Sequence, residues 1–124
     1  MEEDKFGFED LEVWQKAVTF ATDIIDLCDR INTERKHYRL IEQVEASSTS
    51  VAANISEGKG RYSKKEFIQF LYIARGSLYE TVTFLIVFNR KQWINEADLK
   101  KLKKTAIEIG KMISSLINKI KKDL

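Results

Sequence analysis

Apolar side chains recur along this chain in steps of three and four, the spacing that holds them on one face of an α-helix. The first run comprises Leu11, Trp14, Val18, Ala21, Ile25 and Cys28. It predicts a helix over 10–31, with Asp10 as the cap that accepts from the free first-turn amides. The polar stretch INTERKH (31–37) interrupts the pattern. The second run, Ile41, Val44, Ser48, Val51 and Ile55, predicts a helix over 37–57. Its inner face is small, with four consecutive hydroxyl residues from Ser47 to Ser50 that can bond back to the preceding turn and let a neighbour come close. The third run, Phe67, Leu71, Ala74, Leu78, Thr81, Leu85 and Phe88, predicts a helix over 64–89. A second apolar stripe, Ile68, Tyr72, Tyr79, Val82 and Ile86, lies beside it. A helix apolar on more than one face needs more than one cover, and in a chain this short the second cover is expected to be another subunit. Those five residues are the candidate oligomer interface. The fourth run, Leu99, Leu102, Ala106, Ile109, Ile113, Leu116 and Ile120, predicts a helix over 96–122 capped by Asn95 with Asp98 three residues on. Trp93 and Ile94, in the connection before it, are expected to plug the end of the core.

Helices of roughly 20–25 residues are about 30–37 Å long. Short connections make consecutive helices antiparallel neighbours, so the fold class is all-α: a single-domain, up-down-up-down antiparallel four-helix bundle. Composition agrees, because 124 residues suit one domain and the chain has no proline and only five glycines. One cysteine, Cys28, excludes an internal disulfide. The acidic opening MEEDKFGFED is unlike a secretion signal, and no apolar run reaches the ~18 residues of a membrane span. The expected setting is the cytoplasm, with no membrane.

Charge is unevenly placed although the net is only +2. Residues 1–31 carry net −6, residues 32–88 net +2 and residues 89–124 net +6. Since the first and last helices of such a bundle touch, the opposite charges are expected to compensate within one molecule or between subunits.

The stretch ANISEGKGRYSKKEF (53–67) holds the main candidate chemistry. A phosphate loop needs a preceding strand and a terminal GK[ST], and both are missing. Ser63 with Glu66 has capping-box spacing, and Gly58 or Gly60 can take the positive φ that ends a helix, so the stretch reads as a helix–helix turn. Asn54 and Glu57 are placed to bond across to the third helix. Lys59, Arg61, Lys64 and Lys65 cluster beside Tyr62, where they could hold phosphates while the ring stacks on a base. A di-iron bundle needs two Glu-x-x-His pairs and two further carboxylates. Glu34 and His37 form one such pair, but His37 is the only histidine, so no metal and no cofactor is expected. Cys28 sits on an apolar stripe rather than in the basic surroundings of a reactive thiol. Ser47, Ser48 and Ser50 have no histidine to activate them, so no catalytic residues are assigned.

Asn54, Ile55, Ser56, Glu57, Gly58, Gly60, Arg61, Ser63, Glu66 and Phe67, followed by Phe70, Leu71, Ile73, Ala74, Gly76, Ser77 and Glu80, resemble the signature of the 23S rRNA intervening-sequence (S23) family. FEDLEVWQKA (8–17) is similar to the family's opening. The accessory variability protein of diversity-generating retroelements looks like a distant relative that binds nucleic acid through a basic surface. The resemblance implies a cytoplasmic bacterial four-helix bundle without catalytic activity, assembled as a homo-oligomeric ring, a pentamer. Where the family often has Q-x-R-R-A, this chain has Gln43, Val44, Glu45 and Ala46, so weaker nucleic-acid binding is implied. The reading is a non-enzymatic oligomer binding RNA or DNA weakly through basic patches. The alternative is an assembly or adaptor module with an unidentified protein partner and no nucleic-acid affinity.

Overall fold

The computed structural model describes residues 4–33 and 37–124. A short 3-10 turn, Gly7–Asp10, leads into four helices: α1 (Glu12–Arg30), α2 (Tyr38–Lys59), α3 (Lys64–Arg90) and α4 (Glu96–Lys122). α1 packs on α2 and α4, and α3 packs on α2 and α4. This is the arrangement expected of an antiparallel bundle with short connections. The described residues contain no strand.

The core is one cluster, with Phe20, Ile24, Val44, Ile55, Leu71, Leu85, Phe88 and Ile109 fully buried. In α2 and α3 the spacing identifies most of the inward face. In α1 it is displaced: the buried residues are Val13, Ala17, Phe20, Ala21, Ile24, Leu27 and Cys28, while Leu11, Trp14, Val18 and Ile25 are only half-buried. Both stripes have three-and-four steps, and the one carrying Phe20 fills the centre. In α4, Ile117 rather than Leu116 turns inward.

The starts of α3 and α4 are fixed by side chains. Ser63 Oγ accepts from Glu66 N at 3.1 Å, and Asn95 Oδ1 accepts from Asp98 N at 2.7 Å. Asp10 does not cap α1; it lies in the 3-10 turn and pairs with Lys5 at 2.8 Å, while Leu11 holds the N-cap position. α3 ends in a Schellman turn: Trp93 N bonds Phe88 O, Gln92 N bonds Asn89 O, and Gln92 takes φ 65°. The accompanying contact is Trp93 on Phe88, with ring centroids 5.2 Å apart. Ile94 is buried beneath it, so this segment does plug the bundle end.

Hydroxyls join α2 to α3. Ser47 Oγ and Thr81 Oγ1 are 2.7 Å apart inside the core, and Ser50 Oγ meets Ser77 Oγ at 3.0 Å. Each hydroxyl of the core pair carries one proton and also reaches a carbonyl of its own helix, Val44 O for Ser47 and Ser77 O for Thr81, so one hydroxyl donates to its carbonyl while the other donates across the pair. Buried polar groups are thus satisfied where the small side chains bring the backbones together.

α3 is long and apolar enough to cross a bilayer by length and composition, with hydropathy 1.3 over its most apolar window. Arg75 and Glu80 interrupt that window, and only 28% of it is buried in the bundle. Its exposed large apolar side chains are Tyr72, Ile73, Tyr79 and Val87.

Candidate nucleic-acid interface

The α2–α3 turn, the start of α3 and the end of α4 meet at one end of the bundle. Gly58 sets how closely they meet: a Cβ there would stand 2.6 Å from Phe70 Cβ and 3.0 Å from Phe67 Cδ1. Neither Gly58 nor Gly60 has positive φ; Gly60 is the C-cap at φ −80°, and the left-handed residue is Gln92. The first glycine is required by space, not by backbone conformation.

The four basic candidates share this end in different states. Arg61 pairs with Glu57 at 2.9 Å and lies over the Phe70 ring at 4.7 Å. Lys59 lies over Phe67 at 6.0 Å. Both cations thus rest on the rings that Gly58 admits. Lys64 Nζ donates to Asp123 O at 3.2 Å, tying the start of α3 to the end of α4. Lys65 is exposed and makes no ion pair among the described residues. Tyr62, in the turn, is wholly exposed at 103%.

The Lys64 contact brings Lys119, Lys121 and Lys122 to the same end. Sequence reasoning treated these as part of a basic helix and did not place them beside Lys64. The antiparallel topology, which it did predict, was the available signal. Lys121 Nζ donates to Tyr72 Oη at 2.8 Å, which lowers the phenol pKa, with the nearby cationic charges of Lys121 and Arg75 acting in the same direction. Arg75 lies over the Tyr72 ring at 4.9 Å and donates to Ser114 Oγ at 3.3 Å. Cations and an aromatic ring therefore continue from the bundle end onto the α3–α4 side. The acids at this end are partly engaged: Glu57 by Arg61, and Glu66 by the Ser63 hydroxyl at 3.2 Å.

The remaining signature residues divide. Asn54 Nδ2 donates to Ser50 O and Oγ, both at 2.8 Å, so it orients the serine that reaches Ser77 rather than crossing to α3 itself. Glu57 likewise stays on its own side of the turn. Gly76 and Glu80 are exposed on the outer surface of α3, and a Cβ at Gly76 would meet nothing within 4 Å. Among the interface candidates, Ile68 is buried in the monomer core, because it turns inward at the first turn of α3 beside Leu71. Tyr72 and Tyr79 are exposed, and Val82 and Ile86 are half-buried.

Of the residues considered for other chemistry, Glu34 lies outside the described residues. His37 stacks on Trp93, with ring centroids 4.5 Å apart. Burial pushes the Cys28 thiol up to about 12, with the carboxylates of Glu45 and Asp29 adding to the effect. Such a thiol is a weak nucleophile at neutral pH.

The family model for the 23S rRNA-intervening sequence protein matches residues 9–115. A crystal structure of a protein of unknown function from the S23 ribosomal protein family of Bacteroides thetaiotaomicron is similar at 30% identity and TM-score 0.79. The match covers 85% of this chain and 97% of that one. Among curated proteins nothing matches the chain. The match over most of the chain, together with the four-helix fold, shows that it belongs to the 23S rRNA-intervening sequence protein family.

Proposed function

We propose that this chain is a non-enzymatic four-helix bundle that binds RNA or DNA weakly through its basic end, and that copies of it self-associate. The observation that carries the reading is that the Lys64–Asp123 contact brings the start of α3, with Lys65, and the end of α4, with Lys119, Lys121 and Lys122, to the bundle end whose turn carries the fully exposed Tyr62. Lysines hold backbone phosphates without reading sequence, and a free tyrosine face stacks on an unpaired base. Self-association repeats the patch, and multivalency raises weak contacts without any new interaction. Its support is the uncovered apolar surface of α3. The pentamer implied by the family resemblance is the assembly to look for.

The test is fluorescence anisotropy with a labelled single-stranded RNA at ~50 mM salt, where phosphate contacts are least screened. Binding that weakens in the Tyr62→Ala variant is expected. No binding at that salt refutes the nucleic-acid reading and leaves the assembly or adaptor module, whose signature is a stable oligomer with a protein partner.

A further inference from the structure

Away from the basic end, the face that α3 and α4 present together alternates rings and cations. On α3, Tyr72, Arg75 and Tyr79 follow in steps of three and four, so they share one line along the helix. The two tyrosines stand about 10 Å apart along that line. On α4, Lys121, Ser114 and Lys111 run antiparallel beside them. Two contacts fix the register: Lys121 Nζ donates to Tyr72 Oη at 2.8 Å, and Arg75 donates to Ser114 Oγ at 3.3 Å. Both cations also lie against the Tyr72 ring, Arg75 at 4.9 Å from its centroid and Lys121 at 5.5 Å. Past Ser114 the line continues into a groove of about 790 Å³ between the two helices. Tyr79 and Lys111 line this groove over an apolar floor of Leu78, Val82, Ala106 and Gly110. Tyr79 is 59% exposed there.

The cations of this face have few acids to meet. Arg75, Lys111 and Lys121 form no ion pair among the described residues. No carboxylate lines the groove. Between Lys103 and Lys122, α4 carries one acid, Glu108, which turns to Lys16 of α1 at 2.9 Å. Between Lys64 and Val82, α3 carries Glu66, engaged by Ser63, and Glu80, about 100° round the helix from Tyr79. Two cations held on one ring raise each other's energy, and an anion bound beside them offsets that.

We infer that this face is a track for a single nucleic-acid strand leaving the basic end. Arg75 and Lys121, positioned by the Tyr72 ring, hold a phosphate, the guanidinium as a fork and the ammonium as a point charge. The next unpaired base lies on Tyr79 at the mouth of the groove, and Lys111 stands by for the phosphate beyond it. The inference rests on the nucleic-acid reading above and names its substrate class, single strand rather than duplex. A duplex hides its base faces in its own stack and would leave Tyr79 and the apolar floor unused. A single strand offers a π-face to the ring and its phosphates to the cations.

The test is fluorescence anisotropy at ~50 mM salt with two labelled probes. One is an oligouridine of about 12 nucleotides, inside the ~4–16 that single-strand sites cover, and the other is an RNA duplex of the same length. Circular dichroism confirms that each variant keeps its helices. The wild-type chain should bind the single strand at least about tenfold more tightly than the duplex. Arg75→Gln/Lys121→Gln should weaken the single strand and make the slope of log K against log salt shallower by about 1.4 per subunit engaged, for two contacts at ~0.7 each. Tyr79→Ala, at an exposed position outside the core, should weaken it roughly 5–100-fold with the slope unchanged. Arg90→Gln/Lys91→Gln removes the same charge at the opposite end of the bundle and should change neither affinity nor slope. A chain that binds neither probe refutes the nucleic-acid reading and the track with it. Single-strand binding whose slope Arg75→Gln/Lys121→Gln leaves unchanged, or which Arg90→Gln/Lys91→Gln weakens as much, keeps that reading and overturns the track. A duplex bound as tightly as the single strand overturns it too.

Discussion

Gly58→Ala sets two physical effects against each other. Alanine favours a helix over glycine by about 0.8–1 kcal/mol, so intrinsic preference alone makes the substitution stabilising. The structure opposes this. The new Cβ would stand 2.6 Å from Phe70 Cβ, an atom fixed to the α3 backbone that no rotamer change can move. Ordinary carbon–carbon contact is roughly 3.5–4.0 Å, so α2 and α3 must separate by about 1 Å where they meet. Overpacking of that kind costs about 1–3 kcal/mol, leaving a net loss of up to about 2 kcal/mol. For a chain of this length that lowers Tm by up to roughly 8 °C. Thermal and urea unfolding by far-UV circular dichroism measure it, at one protein concentration so that the proposed self-association does not enter the comparison. A gain of about 1 kcal/mol in Gly58→Ala would refute the close-approach explanation.

Gln92→Gly should stabilise the fold by about 0.5–1 kcal/mol in urea unfolding, since it relieves the left-handed φ of 65° at some cost in unfolded-chain entropy. Thr81→Val should cost about 1 kcal/mol, because it removes the partner 2.7 Å from buried Ser47 Oγ. In the Ser47→Ala/Thr81→Val double variant the loss should fall short of the sum of the singles. Cys28 should react with a disulfide reagent at pH 7 at least a hundredfold more slowly in the native than in the urea-unfolded chain, burial having raised the thiol from 9 to about 12. Because the folded value is the higher, the stability linked to this thiol is complete below pH 9 and declines as pH rises from 9 toward 12. The Cys28→Ala variant should lose that alkaline decline.

The periodic spacing made the four helices legible, and cap chemistry at Ser63 and Asn95 located two of their starts to within a residue. Spacing was ambiguous in α1, where two stripes of equal period compete and only three-dimensional volume selects the one with Phe20. The same limit moved Leu116 aside for Ile117 in α4. At the α2–α3 turn the glycines were noticed for the wrong reason. Backbone freedom is a local property that sequence suggests readily, whereas contact of Gly58 with Phe70 depends on how two helices pack. The basic end was half-legible: Lys59, Arg61, Lys64 and Lys65 are neighbours in sequence, but Lys119, Lys121 and Lys122 join them only through tertiary contact. Bulk charge suggested that α1 and α4 compensate within one molecule or between subunits; the ion pair between them, Lys16–Glu108, joins the minority sign of each helix, while Asp23 and Asp26 line a shallow groove with Lys101. Ion pairing depends on the facing positions, which a sum over a segment does not reveal.

The central claim is that the basic end holds nucleic-acid phosphates, and the salt dependence of RNA binding tests it most directly. Each phosphate contact released should contribute about −0.7 to the slope of log K against log salt for a single strand. Affinity of the wild-type chain should fall steeply between ~50 and ~200 mM salt, and Lys64→Glu/Lys65→Glu should bind more weakly with a slope shallower by roughly 1–1.5 per subunit engaged. Binding that is insensitive to salt, or a slope unchanged by reversing Lys64 and Lys65, would contradict the account.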